Sequence, residues 1–299
     1  MVDVPRILIS GASGLIGSAL VPSLEARSYE LVRLVRREVE NSAEVQWHPG
    51  QPLPSRALPA IDRVVHLAGE TIAGRWTMSK KRRIRDSRVL ATRSLAETCA
   101  SLKPRPESLI CASAIGYYGD RGAEILNEES SSGKGFLAEV CREWEAATWA
   151  AADAGIRVVN LRIALVLSRK GGALKQMLLP FRLGLGGRIG SGQQWWSWIH
   201  ITDLVSAILH VLGSPSITGP VNVSSPTPVT NAEFTWTLAK SLKRPSILPM
   251  PAALARALFG ELAEEGPLAS VRVKPEKLIT SGFQFRFPAL GSACEDLLA

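Results

Sequence analysis

Three glycines at a fixed spacing lie near the start of the chain, where an apolar run ends and a helical pattern begins. They fall in the segment Ser10-Gly-Ala-Ser-Gly-Leu-Ile-Gly17. In a dinucleotide-binding loop, the first glycine allows a tight turn, the second lets the backbone approach a pyrophosphate, and the third permits close packing of the helix. The helix N-terminus offers free N–H groups and partial positive charge to phosphates. This context predicts a dinucleotide site that includes Gly11, Ser13, Gly14, Leu15, Ile16 and Gly17.

Two adjacent arginines, Arg36 and Arg37, follow the second predicted strand. An NAD-binding protein usually has Asp or Glu at this point, about 20 residues after the glycine loop, to hold the ribose 2′-hydroxyl. A carboxylate would repel the 2′-phosphate of NADP(H), whereas a guanidinium can bind it through two parallel hydrogen bonds. Arginine is also common at exposed strand ends that bind nothing. The pair favours NADP(H) as the cofactor.

Strand and helix patterns alternate through the first two-thirds of the 299 residues. We expect strands at 6–10, 30–35, 63–67, 108–112 and 158–161, and helices at 14–27, 80–102 and 135–154. This alternation predicts an α/β fold with a Rossmann-type, doubly wound parallel sheet. Loop-rich and proline-rich segments follow Arg162. We therefore expect a dinucleotide-binding domain of residues 1–166 plus 198–225, and a smaller C-terminal substrate-binding lobe of residues 167–197 plus 226–299.

Composition narrows the class of protein. Apolar residues make up 46% of the chain and charged residues 21%, which is an ordinary globular balance. No run approaches the roughly 20 apolar residues that span a bilayer, and the N-terminus lacks a signal-peptide pattern. Four scattered cysteines and four histidines show no metal-ligand spacing. We expect no metal site, reduced thiols, a cytoplasmic location and no membrane contact. Oligomeric state is open, with a homodimer as one option.

The net charge of +8, with a basic run at 80–85, raises the question of nucleic-acid binding. These basic residues lack the interleaved aromatics of a single-strand binder. They also fall in no recognisable DNA-binding motif. A solvated helix start, or a cationic edge facing an anionic cofactor, is the favoured explanation of these residues. We expect no nucleic-acid partner.

Longer motifs carry a resemblance to a known family. They are His66-Leu-Ala-Gly-Glu70 with Arg75-Trp76, Ser87-Arg88 with Thr92, and the segments 178–192, 198–203, 228–234 and 282–288. On these residues the chain resembles the extended short-chain dehydrogenase/reductase superfamily. Within it, the chain is similar to the atypical epimerase family protein group, which is related to sugar-nucleotide epimerases. The resemblance covers nearly the full chain. It implies two lobes, NADP(H) on the N-terminal lobe, and a small-molecule substrate in the cleft.

The resemblance also implies further cofactor-site positions. Leu67 and Ala68 end a strand, so their role would be backbone and van der Waals contact with ribose or adenine. Arg88 on the following helix could reach a phosphate. Glu70, at a strand end that should face the cofactor, is a further polar candidate for the chemistry, and a ribose or loop contact is its alternative role. Plain core packing is the alternative for the apolar members. The positions that the resemblance implies are Arg36, Arg37, Leu67, Ala68, Arg88 and Val166. We add the adjacent Gly69 and Glu70 to the predicted cofactor site.

The proton-transfer residues that the resemblance implies are missing. The superfamily uses a Tyr to pass a proton to or from the substrate oxygen, and a Lys four residues later to lower the Tyr pKa and hold the ribose. Counted back from Trp144-Glu145, those positions fall on Leu137 and Cys141. Neither side chain can replace a phenol or an ammonium group.

Other hydroxyl groups remain as catalytic candidates. The superfamily's Ser or Thr position, four residues before Tyr118, falls on Ala114, although a shift of one residue would restore Ser113. Tyr117 and Tyr118 follow a strand at the expected mouth of the cleft. Either tyrosine could donate a proton to substrate, and either could be a pocket wall.

A lone histidine, His200, precedes Thr202-Asp203, which has the pattern of a helix cap. For this histidine a structural hydrogen bond is favoured over catalysis.

Two hypotheses of function remain open. The first is an NADP-dependent oxidoreductase or epimerase that acts on a small, sugar-nucleotide-like substrate through an unusual acid. The second is a regulatory or interaction protein that binds NADP(H) without turnover. A nucleic-acid-binding protein is a distant third.

Overall fold

The computed structural model describes residues 4–53, 56 and 58–299. Residues 1–3, 54–55 and 57 of the predicted first lobe lie outside the described part. The strands are β1 (Arg6–Ser10), β2 (Glu30–Val35), β3 (Glu44–Gln46), β4 (Arg63–His66), β5 (Ser108–Ala114), β6 (Ile125–Leu126), β7 (Arg157–Ile163), β8 (Leu165–Leu167), β9 (Trp195–Trp196), β10 (Trp198–His200), β11 (Gly219–Val223), β12 (Val229–Thr230) and β13 (Arg272–Val273).

The α-helices surround these strands. They are α1 (Leu15–Glu25), α2 (Met78–Ser101), α3 (Phe136–Ala146), α4 (Trp149–Asp153), α5 (Gly172–Arg182), α6 (Ile201–Gly213), α7 (Asn231–Ser241), α8 (Ala252–Phe259), α9 (Leu262–Glu265), α10 (Glu276–Thr280) and α11 (Leu290–Leu298). A short 3₁₀ helix, Ile115–Tyr118, follows β5.

Within the described residues, seven strands form one parallel sheet in the order β3-β2-β1-β4-β5-β7-β11. The strand order reverses between β1 and β4. In doubly wound sheets, ligands bind in the crevice at the carboxyl ends of the strands on either side of such a reversal. The Rossmann-type α/β fold predicted from the sequence is confirmed.

The sheet separates two apolar layers because successive side chains of a strand point to opposite faces. Ile7 and Ile9 of β1 join the core formed with α1 and α6. Leu8, between them, joins the core formed with α2 and α4. Both faces are therefore covered, which explains why the central strands are nearly continuous apolar runs.

A third core lies in the C-terminal part of the chain. It includes Leu167, Leu174, Trp198, Phe234 and Cys294. Most of these residues fall in the predicted substrate lobe. Trp198 is the exception, because the predicted boundaries assign it to the first lobe. The division into lobes at those boundaries stays a prediction.

The structure has two helices where the sequence predicts a single one. The helix expected over 135–154 stops at Ala146, and α4 begins at Trp149. At the break, the Thr148 hydroxyl donates a hydrogen bond of 2.6 Å to the Glu145 carbonyl. Such local side-chain bonds compete with continuation of a helix.

Candidate functional site

A cleft of about 710 Å³ opens at the carboxyl ends of β1, β2 and β4. Its walls come from the glycine loop, the end of β2 and the loop after β4. Of the predicted cofactor-site residues, the cleft brings together Gly11, Ser13, Gly14, Arg36, Arg37, Leu67, Ala68, Gly69 and Glu70. Leu15, Ile16, Gly17, Arg88 and Val166 are not among the residues that line it.

Two of the three glycines are required by the protein's own backbone. Gly11 has a φ of +72°, and a Cβ added there would lie 2.7 Å from the Leu67 carbonyl carbon. A Cβ on Gly17 would lie 2.2 Å from the Gly11 carbonyl oxygen. Gly17 therefore packs on the glycine loop itself, and not on the strand as the motif suggests.

Gly14 differs from the other two glycines. A Cβ on it would meet only the Gly11 carbonyl oxygen, at 3.3 Å, and the residue lines the cleft. Gly14 is also the N-cap of α1, where no side chain caps the helix. The open space and the uncapped N–H groups suit an anionic group lying against this helix end.

A buried pair fixes the glycine loop against the loop after β4. The Ser10 hydroxyl lies 2.6 Å from Nδ1 of His66, and the Ala68 N–H donates to the same hydroxyl oxygen at 3.4 Å. His66 is fully buried, and burial lowers its pKa to about 4. The imidazole is therefore neutral at neutral pH, and it holds the cleft floor in place. The sequence placed His66 in a family motif without indicating this role.

The two arginines after β2 have different surroundings. Nη1 and Nη2 of Arg37 donate to the two carboxylate oxygens of Glu44, at 3.0 and 2.7 Å. This hydrogen bonding raises the pKa of Arg37. Arg36 is exposed, and in residues 4–53, 56 and 58–299 its side chain forms no hydrogen bond or ion pair, although its charge contributes to the lowered pKa of Glu70. The sequence could not distinguish the two guanidinium groups.

The carboxylate of Glu70 binds cations of α2. Nζ of Lys80 lies 2.8 Å from it and Nε of Arg83 lies 3.9 Å away. The hydrogen bond from Lys80 lowers the pKa of Glu70. The Glu70 backbone N–H donates a hydrogen bond of 3.0 Å to the Ser87 hydroxyl oxygen. Glu70 thus anchors the loop after β4 to α2.

Arg88 lies between the cleft and α3. Its Nη1 donates to the Glu70 carbonyl at 2.9 Å, and its guanidinium carbon is 5.1 Å from the Trp144 ring. A Cβ on Gly69 would lie 3.3 Å from that guanidinium carbon. Burial lowers the pKa of Arg88. Gly69 therefore allows the arginine to pass directly behind the cleft wall.

Ser113 and Tyr118 belong to a buried polar network. The Ser113 hydroxyl donates a hydrogen bond of 2.7 Å to the Glu145 carboxylate, and Glu145 forms a bidentate ion pair with Arg162. The Tyr118 hydroxyl donates to Asn222 at 2.7 Å and accepts from Arg162 at 2.9 Å.

Burial removes both of these hydroxyls from reach of a ligand. Ser113 is 3% exposed and Tyr118 is 0% exposed. Burial also raises the pKa of Tyr118 to about 12. The expectation that Ser113 or Tyr118 could serve a substrate is therefore corrected, because both groups are already engaged with internal partners.

Tyr117 remains as a candidate. Its half-buried ring lies 3.5 Å from the Arg162 guanidinium carbon and packs edge-on against Tyr118. In the part of the chain that the structure describes, its hydroxyl forms no hydrogen bond. Tyr117 is thus a phenol beside a cation, with its proton uncommitted.

The face of α3 that carries Leu137 and Cys141 packs beside the 3₁₀ helix. A Cβ on Gly116 would lie 3.3 Å from the Leu137 Cβ and 3.9 Å from the Cys141 sulfur. Burial raises the Cys141 pKa to about 12, so the thiol is protonated at neutral pH. This face is apolar, as the sequence predicts.

One neighbouring residue had no sequence signal. The Glu265 carboxylate accepts hydrogen bonds from the N–H groups of Phe136 and Leu137, at 2.8 and 2.6 Å. Glu265 ends α9, far along the chain, and caps α3 beside the apolar face.

His200 has the structural role that was favoured. It is 1% exposed, and its Nδ1 accepts a hydrogen bond of 3.1 Å from the Thr202 N–H. The helix cap is therefore His200 itself and not Thr202-Asp203. Asp203 instead accepts from the N–H groups of Arg286 and Phe287.

Residues 4–53, 56 and 58–299 contain neither a cluster of metal ligands nor a membrane-spanning helix. No group of three or more His, Cys, Asp and Glu side chains is placed to hold a metal ion there. No helix in those residues is long and apolar enough to cross a membrane. All four cysteines are buried and free.

Comparison with known proteins adds two family matches. Residues 7–224 match the NAD dependent epimerase/dehydratase family, and residues 250–297 match a domain of unknown function. A Mycobacterium bovis protein named epimerase family protein Mb2239 is 43% identical over 289 residues, which cover 96% of this chain and 95% of that protein.

Two solved structures are similar over nearly the whole chain. The crystal structure of human epimerase family protein SDR39U1 (isoform 2) with NADPH has a TM-score of 0.90 and 34% identity, and the match covers 98% of this chain and 99% of that one. A nucleoside-diphosphate sugar epimerase from Corynebacterium glutamicum has a TM-score of 0.83 and 38% identity, over 99% of this chain and 58% of that one.

Proposed function

The chain belongs to the NAD dependent epimerase/dehydratase family, and we propose that it is an NADP(H)-binding oxidoreductase or epimerase-like protein acting on a small substrate. In this proposal the pyrophosphate lies against Gly14 and the N-terminus of α1. The 2′-phosphate lies at Arg36, and the loop Leu67–Glu70 contacts the ribose and adenine.

The observation that carries the cofactor proposal is that Arg36, whose side chain forms no hydrogen bond or ion pair in the described residues, lines the same cleft as the glycine loop. A guanidinium without a carboxylate partner is a natural phosphate ligand. The human relative crystallised with NADPH supports the same choice. Leu15, Ile16, Gly17, Arg88 and Val166 would then act from behind the cleft, through packing and through the Arg88 contact with Glu70.

The test of the cofactor site is calorimetric titration with NADPH. We expect Gly14→Val to abolish binding, because the new side chain would occupy the space that a pyrophosphate needs. Gly213→Val is the matched control, since a Cβ there would meet nothing within 4 Å. Binding by a folded Gly14→Val protein equal to that of the parent would refute the site.

For the chemistry, we propose Tyr117 as the proton donor to a carbonyl or sugar-nucleotide-like substrate. The Arg162 guanidinium lies over the face of the Tyr117 ring and holds the ring in place. The cofactor supplies hydride transfer when bound. Residues 1–166 plus 198–225 would bind it, and residues 167–197 plus 226–299 would bind substrate. A cytoplasmic location is consistent with four buried, reduced thiols.

A second candidate function is an NADP(H)-binding regulatory protein without turnover. The observation that favours it is the engagement of Ser113 and Tyr118 within the buried network beside an apolar α3 face. A panel of carbonyl compounds and sugar nucleotides separates the two functions. NADPH oxidation by any member supports the enzyme, whereas tight NADPH binding with no turnover supports the regulator.

A further inference from the structure

A buried carboxylate lies in the cleft wall beside the proposed 2′-phosphate position. Glu44 begins β3, opposite Arg33 of β2, and its side chain is 5% exposed. It lines the same cleft as Arg36 and Arg37. A carboxylate near this strand end is the group that NAD-binding proteins use to accept the ribose 2′-hydroxyl. Here it comes from the neighbouring strand, where the sequence spacing gives no sign of it.

Glu44 is held by three hydrogen bonds. Arg37 supplies two of them, from Nη2 at 2.7 Å and Nη1 at 3.0 Å, and the Glu40 N–H supplies the third at 2.9 Å. These bonds, chiefly those from Arg37, lower the pKa of the Glu44 carboxyl. The group is therefore ionised at neutral pH, and its charge faces Arg37 in a planar fork.

The local charge balance then depends on which arginine is free. Arg37 is matched by Glu44 and lies 3.1 Å from the exposed carboxylate of Glu40. The Arg36 side chain forms no hydrogen bond or ion pair in the described residues, and its charge acts on Glu70 only from beyond ion-pair distance. Without Arg37, the Glu44 carboxylate would lose both of its side-chain hydrogen bonds, and its charge in the cleft beside Arg36 would repel a phosphate dianion.

We propose that Glu44 is a latent acceptor for the ribose 2′-hydroxyl of NAD(H), and that Arg37 acts as a specificity residue by neutralising it, leaving Arg36 to bind the 2′-phosphate of NADP(H). The inference rests on the proposed NADP(H) binding. In this inference Arg36 binds the cofactor, whereas Arg37 binds the Glu44 carboxylate of the protein itself.

The experiment measures dissociation constants for NADPH and NADH by calorimetry at fixed ionic strength, on the parent and on Arg37→Met, Glu44→Gln and the double variant. Arg37→Met should weaken NADPH binding roughly 10- to 100-fold, because the unneutralised charge of Glu44 would then repel the 2′-phosphate. It should retain or strengthen NADH binding. Glu44→Gln should bind NADPH at least as tightly as the parent.

The double variant decides the matter, because it removes Arg37 and the charge that Arg37 offsets. We expect it to recover NADPH affinity to near the parent value. Arg37→Lys should also keep most of the NADPH affinity, since the positive charge beside Glu44 is retained. Arg256→Met, which breaks the exposed pair with Glu264, is the control.

Two results would overturn the inference, and only the second would also overturn the proposed cofactor preference. If the double variant binds NADPH as weakly as Arg37→Met, then Arg37 contacts the phosphate directly, and the proposed function stands. If the parent binds NADPH and NADH equally, both the inference and the proposed cofactor preference fail. Thermal melts of every variant confirm that each is folded.

Discussion

The Glu265 carboxylate lies 2.6 Å from the backbone nitrogen of Leu137, so the C-terminal part of the chain caps the helix that carries the missing catalytic positions. The N-terminus of a helix leaves N–H groups unsatisfied. A carboxylate there satisfies two of them and also interacts favourably with the helix dipole. The segment matched to a domain of unknown function thus has a definite contact with the dinucleotide-binding fold.

This cap should contribute to stability. We expect Glu265→Ala to lower the free energy of unfolding by roughly 1.5–3 kcal/mol, the range for hydrogen bonds to charged groups. Urea denaturation measures the change. Glu264→Ala is the neighbouring control, since Glu264 is exposed and pairs only with Arg256 in the described structure. An equal, small effect of both changes would show that the cap is dispensable.

The two adjacent tyrosines should respond in opposite ways to loss of their hydroxyls. Tyr117→Phe should leave stability nearly unchanged and, on any substrate that turns over, reduce the rate by about 10²–10⁴-fold. Tyr118→Phe should lower the free energy of unfolding by about 1–3 kcal/mol, because it leaves buried partners unsatisfied. Steady-state NADPH oxidation and denaturation report the two effects. Turnover that survives Tyr117→Phe unchanged would point to another acid.

The Glu145–Arg162 pair should be far more important than an exposed pair on the same helix. Its side chains are 13% and 4% exposed, and removing one partner of a buried pair typically costs about 3–5 kcal/mol. Glu143→Gln, which disrupts the exposed pair with Arg85, should cost less than about 1 kcal/mol. Comparing Glu145→Gln with Glu143→Gln by urea denaturation provides the test. Similar losses in the two variants would contradict the account of the network.

His66 should make the protein sensitive to acid. Its pKa is about 4 in the fold and about 6.5 when unfolded, so the unfolded state binds the proton more readily. The stability associated with neutral His66 is complete above about pH 6.5 and is lost as pH falls toward 4, by roughly 3 kcal/mol. The free energy of unfolding measured from pH 7 to pH 4 should therefore fall less steeply in His66→Asn than in the parent. Identical slopes would exclude this contribution.

The sequence was informative where function depends on local spacing. Gly11, Gly14 and Gly17 specify a strand–loop–helix unit within eight residues, so the dinucleotide loop could be predicted from that segment. The family resemblance also predicted that the superfamily's tyrosine position is occupied by Leu137, which carries no phenol. Both features depend on residue type and short-range order.

What could not be predicted depends on contacts between distant segments. Glu44 distinguishes Arg37 from Arg36, and it lies in a strand of only three residues. Asn222 and Arg162 engage Tyr118 from strands that follow it by 104 and 44 positions. Tertiary packing, and not propensity or periodicity, decides which of two identical neighbouring side chains is free.

The central claim is that Arg36 binds the 2′-phosphate of NADP(H), and the most direct test is calorimetric titration of the parent and Arg36→Met with NADPH and NADH. Losing a charge-assisted hydrogen-bonding partner should weaken NADPH binding roughly 10- to 100-fold. NADH lacks the 2′-phosphate, so its affinity should stay unchanged and the parent's preference for NADPH should largely disappear. Equal affinities for the two cofactors in the parent, or an equal loss for both in Arg36→Met, would contradict the account.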